Sequence, residues 1–146
     1  MKSNIPQIVD ALCEKYDSRD PYEISRQLGI VVEREDLGSI RGYYNCEYGL
    51  KMIHINSELD TGDQRMVCAH ELGHAVLHPG DNTPFLRTYT FYSIDRMETE
   101  ANRFMAYLEI TDDELLEYRE HPMTLLADIY GVSVELIRWR YDQLRL

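Results

Sequence analysis

The chain has 146 residues, 44% of them hydrophobic and 28% charged, with a formal net charge of −11 and a pI near 4.8. That length and composition predict one globular domain, residues 1–146, able to bury a core without disulfide staples. So acidic a surface repels phosphate backbones, which excludes non-specific nucleic-acid binding, and no stretch approaches the ~18 apolar residues of a membrane span.

Cys13, Cys46 and Cys68 are scattered and odd in number, so they read as free thiols of a protein in the reducing cytoplasm. The first helix is expected to run from a cap at Ser3 or Asn4 to about Tyr16, with Ile5, Ile8, Val9 and Leu12 as its apolar stripe. Asp20-Pro21 opens a second helix that ends at Leu28-Gly29. Strands are predicted over residues 30–33, 40–46 and 50–55, the last two joined by a turn near Glu47-Tyr48-Gly49. They predict a small antiparallel sheet. Asp60-Thr61 then caps a largely buried helix that runs to about His78 and stops at Pro79-Gly80.

Residues 81–93 show no helical period and carry Phe85, Tyr89, Phe91 and Tyr92, which predicts a long loop or irregular hairpin. Helices follow at roughly 95–108, 111–119, 122–130 and 133–144, with capping signals at Thr111-x-x-Glu114 and Ser133. The fold class expected is α+β: mainly helical, with a small sheet beside the helix of residues 60–78, in the manner of a zincin.

That helix contains His70-Glu71-Leu72-Gly73-His74, the HExxH pattern. Residues four apart on an α-helix are separated by about 6 Å of rise and share a face, so two imidazoles can bind one metal ion. Glu71 sits to the side, where its carboxylate can take a proton from water activated by that ion. The alternative is that His70 and His74 are hydrogen-bonded core histidines and Glu71 a solvent-facing charge.

A catalytic zinc site needs a third protein ligand and keeps the fourth position open. The next helix offers Glu98 and Glu100, which point about 160° apart, so only one faces the metal. Glu98 shares its face with Ala101, Met105 and Leu108, which favours it as the inward carboxylate. Asn102, one turn on, could hydrogen-bond a ligand from behind. His78 is a poor third ligand, since it lies about 12 Å from His70 along the same axis, and it reads as a helix-end cation or as support for a ligand. His54, in a strand, and His121, before a proline, read as structural or exposed.

These residues resemble the ImmA/IrrE family of metallopeptidases, a gluzincin-like group of phage and mobile-element type. The resemblance covers Asp20-Pro21-Tyr22-Glu23-Ile24 with Leu28-Gly29-Ile30, Arg41-Gly42-Tyr43-Tyr44, Ile53-x-Ile55-Asn56, Ala69 to His78, and Glu98-x-Glu100-Ala101-Asn102-x-Phe104-x-Ala106. It departs after Phe104, where Met105-Ala106-Tyr107-Leu108-Glu109-Ile110 lacks the proline usual at that helix end.

The resemblance implies a zinc-dependent endopeptidase, often encoded beside a repressor that it cleaves, with some relatives serving stress responses instead. It implies Zn²⁺ on His70, His74 and Glu98, and Glu71 as general base. A group stabilising the oxyanion is expected, with Tyr43, Arg87, Tyr89 and Tyr92 as candidates. The sheet edge at Tyr43-Tyr44 could take an extended substrate strand.

Ala127-x-x-x-Gly131-Val132-Ser133-x-x-x-Ile137 has the spacing of a helix-turn-helix, so residues 111–146 could hold such a pair. Residues 119–146 carry four arginines against four acidic residues, so no basic footprint for DNA accompanies it. A second functional class is a non-catalytic module that controls a repressor or another partner by binding. The intact Glu71 favours the enzyme, because a purely structural metal site has no use for it.

Overall fold

The computed structural model describes residues 4–80 and 91–144, and of residues 91–95 the backbone alone. Helices α1 (Ile5–Tyr16) and α2 (Pro21–Gln27) lead into strands β1 (Ile30–Glu35), β2 (Gly42–Glu47) and β3 (Leu50–Asn56). Then come α3 (Thr61–Leu77), α4 (Phe91–Glu109), α5 (Asp112–Glu117), α6 (Met123–Tyr130) and α7 (Val134–Asp142). The fold is α+β and mainly helical, as expected.

Local chemistry accounts for most boundaries. The Asp20 carboxylate accepts from the Tyr22 amide and Pro21 occupies the first helical position of α2. Asp60 accepts from Asp63 N at 2.7 Å to start α3, and Thr111 with Glu114 forms a full capping box on α5. Ser133 caps α7 through Leu136 N. Asn4 occupies the cap position of α1 but makes no side-chain cap bond.

The sheet is mixed, not antiparallel. Its order is β1-β3-β2, with β2 antiparallel to β3 and β1 parallel to it. Alternation along a strand says which residues face the core and nothing about which strand lies alongside. Here Ile53 and Ile55 are fully buried, and β3 gains a neighbour on both sides by taking the centre. Residues 36–49, including β2, act as the crossover that a parallel pair requires. Buried Asn56 pins that crossover: Nδ2 donates to the carbonyls of Gly38 and Ile40, both at 2.9 Å, while Oδ1 accepts from Glu58 N at 3.0 Å.

Helix α4 begins at Phe91, four residues before the predicted start. Residues 91–93 are therefore helical rather than loop, and the rest of the predicted loop, 81–90, lies outside the described residues. The far end of α4, where the expected proline is missing, is finished by arginines. Arg19 Nη2 donates to the carbonyls of Tyr107 and Leu108 at 2.7 and 3.0 Å. Buried Arg140, from α7, donates through Nε to Ile110 O at 2.8 Å and through Nη2 to Asp112 Oδ1 at 2.6 Å. Two guanidinium groups thus satisfy carbonyls that the helix end leaves open.

The core lies between the inner face of the sheet, α3 and α4, with Tyr44, Ile53, Leu72, Phe104 and Leu108 almost or fully buried. Two glycines let the elements approach. A Cβ on Gly42 would meet Val67 Cγ1 at 2.5 Å and His54 O at 2.7 Å, so the start of β2 lies directly on α3. A Cβ on Gly73 would meet Phe104 Cβ at 3.0 Å and the backbone of Ala101 at 3.2 Å. Backbone cannot rotate away as a side chain can.

Gly73→Ala therefore sets an overpacking cost of about 1–3 kcal/mol against a helical gain of about 1 kcal/mol. The expected outcome is a net destabilisation of about 1 kcal/mol in denaturant unfolding. A variant more stable than its parent would show that α3 and α4 part freely.

Candidate metal centre

Three donors from two helices converge where Gly73 brings α3 and α4 together. His70 and His74 lie one turn apart on α3, and Glu98 lies on α4 one turn before Ala101, the residue packed on Gly73. His70 Nε2 is 3.0 Å from Glu98 Oε2, and His74 Nε2 is 2.7 Å from Glu98 Oε1. One ligand atom from each residue lies within 4.8 Å of the others. A tetrahedral ion with bonds of about 2.0–2.1 Å needs its donors roughly 3.3 Å apart, so small side-chain adjustments suffice. Buried His74 Nε2 meets Glu98 as a close ion-pair contact but, among the described residues, has no partner in hydrogen-bond geometry. A buried imidazole nitrogen out of hydrogen-bond alignment, beside a second imidazole and a carboxylate, fits a metal ion.

The site is graded from closed to open. The side chains of His74 and Glu71 are 2% and 7% exposed, those of His70 and Glu98 17% and 40%. Glu71 Oε2 stands 4.0 Å from His70 Nε2, so two carboxylates face one imidazole edge. Burial disfavours a charged His70, but Glu98, Glu71 and a hydrogen bond with Asn102 outweigh it and raise its pKa. Burial likewise disfavours charge on Glu98, and pairing with His70 and His74 reverses this, holding its carboxyl well below the usual range.

Other residues named from the sequence fall elsewhere. Glu100, pointing away from Glu98, reaches His78 Nε2 at 3.3 Å. His78 lies behind His74, their Nδ1 atoms 3.3 Å apart, and is not among the convergent donors. Tyr43 stacks on His54 with ring centres 4.2 Å apart, and His54 also contacts Glu35 and Asn45. That places Tyr43 on the sheet face away from buried Tyr44. His121 lies against the Tyr118 ring. Arg87 and Tyr89 are outside the described residues, and Tyr92 falls in α4 with only its backbone described.

His70, Glu71 and Glu98 open onto a cleft of about 810 Å³. Arg41 and Gly42 form one side of it, and Asn102, Arg103 and Met105 continue along α4. Its far wall is the α6–α7 turn, residues 130–133, with Trp139. The Arg103 guanidinium lies over the Trp139 ring at 5.2 Å. Nothing in the helix-turn-helix spacing points to this cleft. The one available signal was the chain's single tryptophan on a helix that must pack on α4.

Comparison with known proteins agrees with this geometry. Residues 25–141 match the peptidase family M78 model, described as the IrrE N-terminal-like domain. The chain is 39% identical over 135 residues to "uncharacterized immunity region protein 2" of Bacillus phage phi105, covering 90% of this chain and 85% of that one. It is 32% identical over 131 residues to "metallopeptidase ImmA" of Bacillus subtilis strain 168, covering 88% and 72%. A solved "Mycobacterium tuberculosis transcriptional regulator" aligns with a TM-score of 0.59 at 13% identity, over 99% of this chain. This chain spans about half of that structure, 48%, and at such identity the likeness concerns the fold alone. From a match that spans most of its length, and from relatives at this identity, the chain belongs to the ImmA/IrrE family of metallopeptidases, of phage type.

Proposed function

We propose that the chain is a zinc-dependent endopeptidase that hydrolyses a peptide bond in a protein substrate, and that this substrate is a phage or mobile-element repressor. The observation that carries the chemistry is the convergence of His70, His74 and Glu98, with Glu71 beside them at the mouth of a cleft. The repressor is supported by the printed names of relatives, one from a phage immunity region and one, "phage-like element PBSX protein XkdA", from a phage-like element. A peptidase encoded in such an immunity region would find in the repressor a protein whose loss changes the state of the phage.

His70, His74 and Glu98 would hold the ion. When bound, Zn²⁺ supplies Lewis-acid polarisation of the scissile carbonyl and makes water acidic enough to react near neutral pH. Glu71, buried and aimed at the same edge as His70, takes the proton of the attacking water and passes it to the leaving amine. Glu98 balances charge at the cluster, and Asn102 holds the His70 ring through its hydrogen bond.

Strand β2 lies at the sheet edge, and Gly42 at its start lines the cleft, so an extended substrate segment can add to that edge while its side chains meet Trp139 and Arg103. The protein then acts on unfolded or loop segments rather than on intact helices.

Glu71→Gln is expected to keep Zn²⁺ and lose cleavage of the repressor by about 10²- to 10⁴-fold, read by gel assay of the purified pair. If that variant still relieves repression in cells, the protein works by binding and not by cutting. Glu98→Ala should lose stoichiometric Zn²⁺ on gel filtration. Retention of zinc by that variant would remove Glu98 from the ligand set. Trp139→Ala should raise KM by about 5- to 30-fold with kcat little changed. An unchanged KM in steady-state peptide hydrolysis would place the substrate elsewhere.

A further inference from the structure

We propose that His78 and Glu100 are positioning residues for His74, forming a hydrogen-bonded chain that fixes which ring nitrogen of His74 faces the metal cluster. The inference rests on the metallopeptidase reading and extends it from the donor atoms to the groups behind them. His74 Nδ1 lies 3.3 Å from His78 Nδ1, and His78 Nε2 lies 3.3 Å from Glu100 Oε1. Arg96 Nε stands 3.7 Å from the same carboxylate oxygen. His78 and Glu100 are well covered, with side chains 11% and 16% exposed.

Donor and acceptor bookkeeping allows this chain one direction. Two ring nitrogens that face each other bond only if one carries a proton and the other a lone pair. His74 Nε2 is the atom turned toward Glu98, and a nitrogen that gives its lone pair to a metal carries no proton. Neutral His74 then holds its proton on Nδ1 and donates it to His78 Nδ1. His78, accepting there, holds its own proton on Nε2 and donates it to the Glu100 carboxylate. For a neutral His78 the reverse assignment sets an unprotonated Nε2 against carboxylate lone pairs. It also puts the His74 proton on Nε2, where the ion would sit. A ligand imidazole oriented in this way is more basic and loses less entropy when it binds.

The chain geometry builds this arrangement from helical steps. His74 and His78 are four apart, and the His78 amide still bonds to His74 O at 2.7 Å although His78 is the C-cap of α3, with φ −134° and ψ 56°. Tyr44 OH donates to Pro79 O at 3.0 Å, which ties the residue after His78 to the sheet. On α4, two carboxylates two residues apart serve opposite ends of one imidazole: Glu98 meets Nε2 of His74, and Glu100 reaches its Nδ1 side through His78. A His78 that merely balanced the helix dipole would satisfy Glu100 without needing His74 Nδ1.

Zn²⁺ affinity of the full chain, measured by competition with a chromophoric chelator, tests the proposal. His78→Ala removes the acceptor, whereas in His78→Asn the amide oxygen stands near the former Nδ1. His78→Ala is expected to weaken Zn²⁺ binding by about 10- to 100-fold, with His78→Asn restoring most of it and Glu100→Ala falling between. Metal-free melting temperatures of all three should stay near that of the parent. In the zinc-loaded parent, ¹⁵N histidine spectra should show His74 protonated on Nδ1. Parent-like affinity in His78→Ala, or a His74 proton on Nε2, overturns the proposal. Equal losses in Ala and Asn variants with falling metal-free melting temperatures make His78 structural and also overturn it. A parent that binds no Zn²⁺ fails the metallopeptidase reading itself, and this inference with it.

Discussion

The contact of Gly73 with Ala101 and Phe104 governs everything else, because it sets how near two helices from separate parts of the chain can come. A glutamate side chain spans only a few ångströms from its backbone, and His70 and His74 project from a helix that cannot bend toward it. A side chain at position 73 would press on the Ala101 backbone and push α4 outward, away from the histidines that Glu98 meets. The same glycine lies inside the HExxH pattern, so one pentapeptide supplies two imidazoles, the Glu71 carboxylate and the gap through which the Glu98 carboxylate arrives. The arginine-finished end of α4 matters for the same reason: Arg19 and Arg140 hold the helix at its far end, in addition to the contact with Gly73 along its length.

Charge makes the assembled cluster unusual for a protein of formal charge −11. Two carboxylates, Glu71 and Glu98, face one edge of His70 from 4.0 and 3.0 Å, and Glu71 is buried. Like charges at such range disfavour each other, and burial disfavours both. The histidines compensate in part, which is why Glu98 holds its proton so weakly while His70 holds its own more firmly. A divalent cation resolves the same conflict more completely, with no need for charged imidazoles. The site is therefore more consistent electrostatically as a metal centre than as a buried salt bridge.

What the sequence made legible follows from the range of the forces involved. The HExxH face, the caps at Asp20, Asp60, Thr111 and Ser133, and the choice of Glu98 over Glu100 for the histidine cluster depend on helix geometry within a turn or two, and local spacing carries that information. The mixed sheet did not show, because strand alternation assigns faces and leaves neighbours open; the crossover that Asn56 ties down at Gly38 and Ile40 is a long-range arrangement. Tyr43 looked suited to the substrate side, yet its parity opposite to buried Tyr44 sends it to the outer face, where it stacks on His54. The start of α4 was hidden by an aromatic-rich stretch without an apolar stripe. The cleft wall was hidden most deeply, since it arises only when α7 docks on α4.

That docking changes the meaning of the carboxy-terminal helix pair. Its Gly131 turn has the left-handed cap and the buried Ala127 and Ile137 anchors that a helix-turn-helix requires, so the local geometry is the one the spacing suggests. A DNA reader, however, needs the second helix free to enter a groove and a positive face to meet phosphate. Here α7 is committed: Trp139 sits under Arg103, Arg140 is buried against the end of α4, and Ile137 is in the core. The turn itself, with Val132 and Ser133, faces the cleft that holds Glu98. On the proposed reading, a motif associated with binding nucleic acid has become the surface that a protein substrate meets. Selectivity would then reside in residues 130–139, remote in sequence from the histidines. Members of the family could change substrate there without disturbing the helix contact on which the chemistry depends.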